Sequence, residues 1–198
     1  TKIEMLYGLL NEVQVGFSRE SFKKTYNIHV KYAIKKQTST FPVSIVGYNS
    51  INLDTSLDEN IYPNLNFNER YVYISQLLIS RRFSENFSLQ LSPSVVKHNF
   101  LTTQSKTDYN YILNTGSRLK ISKRSSFNID YSHHLNRLSS STEKNVLSLG
   151  IDMETGGHVF QLLFSNTQAS DEAGVLTMAE GDWLKGDVFF GFNILRVF

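Results

Sequence analysis

Residues 186–198 read GDVFFGFNILRVF, and this stretch decides the fold. In an extended strand alternate side chains share a face. One face carries Val188, Phe190, Phe192, Ile194 and Phe198, interrupted only by Arg196. The other carries Asp187, Gly191 and Asn193 beside Phe189, Leu195 and Val197. Strands of transmembrane β-barrels present one face to lipid and the other to a polar lumen. The stretch therefore predicts the closing strand of a bacterial outer-membrane β-barrel.

The composition of the chain excludes several other classes of protein. The chain has 198 residues, enough for a single domain. It contains no apolar run of about 20 residues, so a transmembrane helix is excluded. Cysteine is absent, which removes disulfides and thiol chemistry. The net charge of +2 is too small to indicate a nucleic-acid partner, and none is expected.

Period-two alternation continues through the rest of the chain, most clearly in TYNIHVKYAIKK (25–36), FSLQLSPSV (87–95) and VLSLGIDME (146–154). These runs and the turn signals between them predict an all-β, antiparallel up-and-down barrel of about eleven visible strands. The predicted strands are 1–7, 12–18, 26–36, 43–54, 69–82, 87–101, 108–122, 125–137, 145–155, 158–168 and 187–198.

Short and long links alternate strictly in this interpretation. Short periplasmic turns and longer extracellular loops are typical of outer-membrane barrels. The pattern places Phe198 at the periplasmic end and Thr1 at the outer end. Because bacterial single-chain barrels have an even number of strands, we expect 1–198 to be one barrel domain that lacks its first strand, with twelve strands in the complete protein.

Alternation alone does not distinguish a membrane barrel from a soluble β-barrel that binds an apolar ligand. Two features favour the membrane. The predicted strands are longer than the usual 5–6 residues. Aromatic residues such as Tyr26, Tyr109 and Tyr111 lie near strand ends, as in the aromatic girdles of membrane barrels.

Several segments resemble one family. TGGHVFQLLFSN (155–166), GDW (181–183) and the closing GDVFFGFNILRVF are similar to the C-terminal signature of a Bacteroidota outer-membrane β-barrel family known only as a domain of unknown function. Upstream segments beginning at Leu9, Phe41 and Leu77 also resemble it. The resemblance implies the fold and an outer-membrane location, and it implies no reaction, ligand or catalytic residues.

Charged and polar side chains of predicted inward parity are the candidate lumen-lining residues. They are His29, Lys31, Lys35, Arg118, Lys120, Asp130, His134, Asp152 and Glu154. One interpretation is a lumen crossed by structural ion pairs. The other is a mildly anion-preferring passage, since rings of charged side chains set the selectivity of pores.

Metal and catalytic sites are not expected, and no cofactor is predicted. His133 and His134 are adjacent and face opposite sides of a strand. Asp152, Glu154 and His158 flank a Gly-Gly turn but differ in parity. No serine lies in a G-x-S-x-G elbow. An outer-membrane enzyme of the lipid-hydrolysing type remains the alternative.

The long link ASDEAGVLTMAEGDWLKG (169–186) contains the chain's single tryptophan, Trp183, together with Met178. We expect it to be an extracellular loop that plugs the lumen, rests on the outer surface or binds a partner. Plugging is the favoured interpretation, because the apolar residues of the loop would otherwise face water. The predicted function is a non-enzymatic barrel, either a narrow small-solute channel or a barrel subunit of an envelope complex. The expected partners are outer-membrane lipid, other envelope proteins, and the barrel-assembly machinery, which would recognise Phe190, Phe192 and Phe198.

Overall fold

The structure, a computed structural model, describes residues 1–100, 108–137 and 144–196. This part of the chain forms one antiparallel sheet of eleven strands whose spatial order is their sequence order. The strands are β1 (Lys2–Leu10), β2 (Val13–Glu20), β3 (Tyr26–Lys35), β4 (Ser44–Leu53), β5 (Tyr71–Arg82), β6 (Phe87–His98), β7 (Tyr109–Lys120), β8 (Ser125–His134), β9 (Val146–Glu154), β10 (His158–Ser165) and β11 (Phe189–Arg196). The predicted all-β, up-and-down fold is confirmed.

Helical structure is confined to the links. One α-helix, α1 (Glu172–Thr177), follows β10, and 3-10 turns occupy Phe22–Lys24, Phe67–Arg70 and Trp183–Lys185. Across the described residues, the helices are too short and too polar to span a membrane.

The two faces of the sheet have opposite chemistry. On β3, Asn27 and His29 are buried on the face we call inner, while Ile28 is 63% exposed on the outer face. On β6, Phe87 and Leu89 are exposed outside. Buried polar rows and exposed apolar rows are the reverse of a water-soluble barrel. This arrangement contradicts the alternative of a soluble barrel with an apolar interior.

The links define two ends of the sheet. The turn end carries the links 11–12, 36–43, 83–86, 121–124 and 155–157, and the loop end carries the other links.

The predicted strict alternation of link length is wrong at one place, because the turn-end link 36–43 is longer than the loop-end link 21–25. Pro42 lies just before β4, and proline has no N–H to donate to a ladder. The link is nevertheless closed as a turn, since Thr38 N–H donates to the carbonyl of Phe41 (2.8 Å).

The sheet is not closed upon itself. β1 and β11 are its two edges, and no ladder joins them in the described part of the chain. Thr1 lies at the loop end, where its carbonyl accepts a hydrogen bond from Ser21 N–H (2.8 Å). We call the gap between β1 and β11 the seam.

The link from β10 to β11 folds into the concave inner side of the sheet. Its helix α1 contacts β5, β7, β8 and β9. Ser170 and Asp171, which immediately precede α1, hydrogen-bond to β2 and β4. A six-residue helix can reach strands so far apart only if the sheet wraps around it. We call residues 166–187 the plug segment.

Candidate functional site: the plugged lumen

The plug segment is anchored by a small apolar cluster at the loop end. Leu176 and Ala173 of α1 are each 3% exposed. They pack against inner side chains of four strands: Tyr48, Ile74, Val96 and Ile112. Asp171 is the N-cap of the helix, and its carboxylate accepts a hydrogen bond from Gly174 N–H (3.3 Å). The apolar contacts and the cap together hold α1 across the lumen.

Polar contacts surround this cluster. Asp171 accepts a second hydrogen bond from the Asn52 amide of β4 (2.9 Å), and Asn52 itself accepts one from the Asn27 amide of β3. Glu20 of β2 accepts from Ser170 N–H (2.7 Å). The carboxyl groups of Glu20 and Asp171 lie near each other at this interface. The interface between plug and wall is therefore largely hydrogen-bonded.

Further contacts fix the rest of the plug segment. His134 Nε2 meets the carbonyl of Leu176 (2.9 Å). The Trp183 indole donates to the carbonyl of Leu147 (2.9 Å). Lys23 Nζ donates to the sulfur of Met178 (3.1 Å). Lys144 binds Asp182, and this hydrogen bond lowers the pKa of the Asp182 carboxyl. Both predicted plug residues, Trp183 and Met178, thus contact the wall or its links.

A cavity of about 160 Å³ lies on the inner side of β8–β11. It is lined by Asn128, Asp130, Ser148, Gly150, Asp152, Gln161, Leu163 and Asn193, and by the backbone of Leu162, whose side chain belongs to the outer row. Its two carboxylates accept amide hydrogen bonds, Asp130 from Asn114 (2.8 Å) and Asp152 from Gln161 (3.0 Å). Lysine and arginine are absent from this lining. The charged side chains of the cavity lining are therefore both acidic.

Most predicted lumen residues belong to inner rows. These are His29, Lys31, Arg118, Lys120, Asp130, His134, Asp152 and Glu154. Arg118 and Glu154 meet in an ion pair (3.0 Å). The placement of Lys35 needs correction. A β-bulge between Ala33 and Lys35 shifts the register and pairs Lys35 with Ile45 of the outer row. Its ammonium lies over the Phe41 ring instead.

Apolar outer rows around a polar interior are the pattern expected of a sheet that meets lipid. Residues 1–198 match the family described as Membrane bound beta barrel domain (DUF5777). The chain belongs to this family. Neither the curated proteins nor the solved structures compared with the chain give a match. Membership places this barrel domain in a membrane, and it supplies no reaction or ligand.

The two adjacent histidines of β8 do not form a metal site together. His133 lies on the outer face and His134 on the inner face. In the three described ranges, no three His, Cys, Asp or Glu side chains form a group suited to a metal ion. The expectation that the barrel is not an enzyme stays a prediction.

The residues predicted to form the assembly signal lie on β11. Phe190 (63% exposed) and Phe192 (51% exposed) project from the outer face, opposite Phe164 and Leu162 of β10. Phe198 lies outside the described residues. The role of these phenylalanines in assembly stays a prediction.

Sequence reasoning missed the polar residues that hold the plug segment: Glu20, Asn27, Asn52 and Asp171. Parity places Asn27 and Asn52 inside the barrel, but nothing in the pattern pairs them. Asp171 is the exception with a local signal, since an aspartate before EAGVLT is a typical N-cap. Tyr48 was also missed. Its aromatic side chain faces the interior, whereas the alternation argument assigns apolar side chains to the outer face.

Docking of the plug segment is expected to weaken as pH rises. Burial raises the pKa of the Asp171 carboxyl. Glu172 also raises it, whereas hydrogen bonds from Glu20 and Gly174 and the charge of Lys2 oppose the shift. The docked state therefore holds the proton more tightly than the undocked state. The proton on Asp171 therefore stabilises docking fully when the pH is below the ordinary aspartate pKa of about 4. This stabilisation is lost as the pH rises through the raised pKa of the docked state.

Fluorescence of Trp183 followed against pH measures this effect. Asp171→Asn keeps the N-cap acceptor and removes the titrating group, so its profile should be flatter and its plug should stay docked at higher pH. Superimposable profiles for the two proteins would refute the assignment.

Proposed function

We propose that this protein is a non-enzymatic outer-membrane β-barrel whose lumen is closed at rest by the plug segment and passes small solutes when that segment moves. The observation that carries the proposal is the docking of Leu176 and Ala173 among Tyr48, Ile74 and Val96. A helix in this position blocks the loop end of a barrel.

The character of the interface supports a plug that can be displaced. Its apolar cluster is small, and most other contacts are polar and can be exchanged for water. Two buried carboxyl groups, Glu20 and Asp171, adjoin each other, which is unfavourable when both are ionised. These features reduce the net stability of the docked state.

The cavity lining supports a preference for cations. Asp130 and Asp152 face the cavity, whereas Arg118 is paired with Glu154. Charged side chains along a pore set its selectivity. The proposal therefore departs from the anion-preferring interpretation of the sequence.

Lipid is the proposed partner of the outer face, because exposed Ile28, Phe190 and Ile194 suit hydrocarbon. The barrel-assembly machinery is the proposed partner during insertion. No nucleic-acid partner is proposed. A role as the barrel subunit of an envelope complex is the second candidate.

Single-channel recording in planar bilayers tests the proposal. We expect the intact protein to show rare, small openings, and a variant with 168–185 replaced by a short Gly-Ser linker to show larger, lasting ones. Reversal potentials in a salt gradient should indicate cation preference, reduced by Asp130→Asn with Asp152→Asn. A large steady conductance of the intact protein, equal to that of the linker variant, would reject the plug as a gate.

A further inference from the structure

Basic side chains lie on the outer face of the sheet near both ends of the strands. They include Arg19 and Lys97 at the loop end and Lys35 and Arg81 at the turn end. The acidic residues of the described strands, by contrast, all belong to inner rows: Glu4, Glu20, Asp130, Asp152 and Glu154. A long basic side chain on a lipid-facing surface places its charge at the headgroup layer, because hydrocarbon does not solvate it. The strand ends therefore present positive charge to the lipid headgroups.

The two turn-end cations lie against phenylalanine rings. Lys35 Nζ is 5.6 Å from the centre of the Phe41 ring, and the guanidinium carbon of Arg81 is 4.8 Å from that of Phe83. An aromatic ring attracts a cation through its quadrupole, but it carries no net charge. Among the residues that the structure describes, neither cation forms an ion pair with a carboxylate. Both charges are thus available to an external anion.

The register of the sheet brings these two cations to the same part of the outer face. The β-bulge before Lys35 turns its side chain outward and pairs the residue with Ile45 of β4. Ile45 in turn pairs with Ile79 of β5, which precedes Arg81 by two residues on the same face. Only β4 separates the two cations, and neighbouring strands lie about 4.8 Å apart. Two long side chains at this separation can reach one group between them. We call Lys35 and Arg81 the turn-end pair.

A polar contact fixes the backbone beside the turn-end pair. The side chain of Gln37 accepts a hydrogen bond from Arg82 N–H (2.9 Å) and donates one to the Arg82 carbonyl (3.0 Å). These two bonds hold the segment after β3 against the end of β5. The backbone around the turn-end pair is therefore already in place before any ligand binds.

The residues around the turn-end pair leave an excess of positive charge. Lys36 and Arg82 are the next residues in the chain after the two members of the pair. Carboxylates in the neighbouring turn-end links are Glu12, which pairs with Lys36 (3.9 Å), and Glu85. Four basic side chains thus stand against two carboxylates. An anionic ligand is favoured over a neutral one at such a surface.

The loop-end cations lack this arrangement. Arg19 lies over the Tyr26 ring and Lys97 over the Tyr109 ring, so each contact resembles those at the turn end. Arg19 belongs to β2 and Lys97 to β6, however, and four strand spacings amount to roughly 19 Å. One headgroup cannot bind both. The closeness of the two cations is what distinguishes the turn end.

We propose that the turn-end pair is a binding site for the phosphate of an anionic phospholipid, whose acyl chains lie along the apolar outer rows beside it. Ammonium and guanidinium groups both donate charge-assisted hydrogen bonds to phosphate oxygens. Ile45, Ile79 and Leu89 continue the outer face towards the bilayer centre and suit the acyl chains. A zwitterionic lipid offers the same phosphate but carries its own cation, so it gains less from the excess positive charge. This lipid site rests on the proposed contact of the outer face with lipid, and it does not depend on the plug segment.

Contact-dependent quenching in lipid vesicles tests this proposal. The 198 residues contain no cysteine, so a fluorophore on Leu89→Cys, the register partner of Arg81, reports on the turn-end pair. A fluorophore on Val95→Cys, two residues from Lys97, is the loop-end reference. The full-length protein is folded into phosphatidylcholine vesicles that contain a small fraction of nitroxide-labelled phosphatidylglycerol or nitroxide-labelled phosphatidylcholine. We expect phosphatidylglycerol to quench the fluorophore at position 89 more than phosphatidylcholine does, and this excess to be clearly smaller at position 95.

Substitutions identify the residues responsible. Lys35→Gln and Arg81→Gln should each lower the relative affinity for phosphatidylglycerol at position 89 by about fivefold, the effect of one basic residue near a membrane surface. Lys35→Arg keeps the charge and should keep the preference, and Lys97→Gln is the matched control that should leave position 89 unchanged. Heat-modifiable migration on gels checks that each variant is folded.

Three results would overturn the lipid site. They are no excess quenching by phosphatidylglycerol at position 89, an equal excess at positions 89 and 95, and an excess at position 89 that survives Lys35→Gln combined with Arg81→Gln. The second result would indicate a diffuse attraction to the whole outer surface. Because no substitution touches the plug segment or the cavity, the outcome is independent of the conductance test.

Discussion

Leu162→Arg is expected to reduce the free energy of folding into lipid bilayers by about 2–4 kcal/mol. Leu162 lies in the middle of β10 on the outer face, with Ile151 on one side and Phe192 on the other. A central position in an eight-residue strand places the new guanidinium near the midplane of the bilayer, where a cation is most costly. Denaturant titration of folding into lipid vesicles, followed by heat-modifiable migration on gels, measures the loss.

Gln161→Arg is the matched control. Gln161 is the preceding residue on the same strand, but it faces the cavity and hydrogen-bonds Asp152 (3.0 Å). An arginine at this position can pair with that carboxylate in a polar environment, so we expect a change within about 1 kcal/mol. If both variants fold equally well, the assignment of outer and inner faces is wrong. If Gln161→Arg is the more harmful, the two faces are exchanged.

The period-two pattern was sufficient to predict the eleven strands and the faces of those with clear alternation. Side chains alternate strictly in a strand, so a single apolar row on β3 determines which face Ile28 and His29 occupy. The same parity predicted the outer positions of Phe190 and Phe192. The alternation is a local signal that recurs in most strands, although both faces are mixed in β5. Because it depends only on neighbouring residues, it is not lost when the boundaries of a strand are misjudged by a few residues.

Two kinds of feature could not be predicted in this way. A β-bulge inserts one residue and reverses parity beyond it, which is why Lys35 was misplaced although Lys31 was not. Contacts between distant segments leave no periodic trace, and Asn52 and Asp171 are separated by 119 positions. The docking of the plug segment depends on such contacts. Composition gave only the general expectation that apolar residues in a long link avoid water.

The second large effect is expected at the plug. Leu176→Ala removes the most apolar contact of α1 with the cluster formed by Tyr48, Ile74 and Ile112. Truncating a buried leucine costs about 2–5 kcal/mol through lost transfer free energy and the cavity that remains. Here the cost falls on docking rather than on the sheet, whose strands are held by their own ladders. A change of this size shifts the docked population roughly 30-fold or more.

Leu184→Ala serves as the control. Leu184 belongs to the same segment, but it is 97% exposed and does not pack in the apolar cluster. Trp183, the single tryptophan, reports docking directly, since its indole donates to the Leu147 carbonyl only while the segment is in place. Leu176→Ala should shift Trp183 emission to longer wavelength and expose the segment to protease, with unchanged heat-modifiable migration of the barrel. Leu184→Ala should do neither. Loss of the folded barrel itself in Leu176→Ala would show that α1 is part of the structural core and not a separable plug.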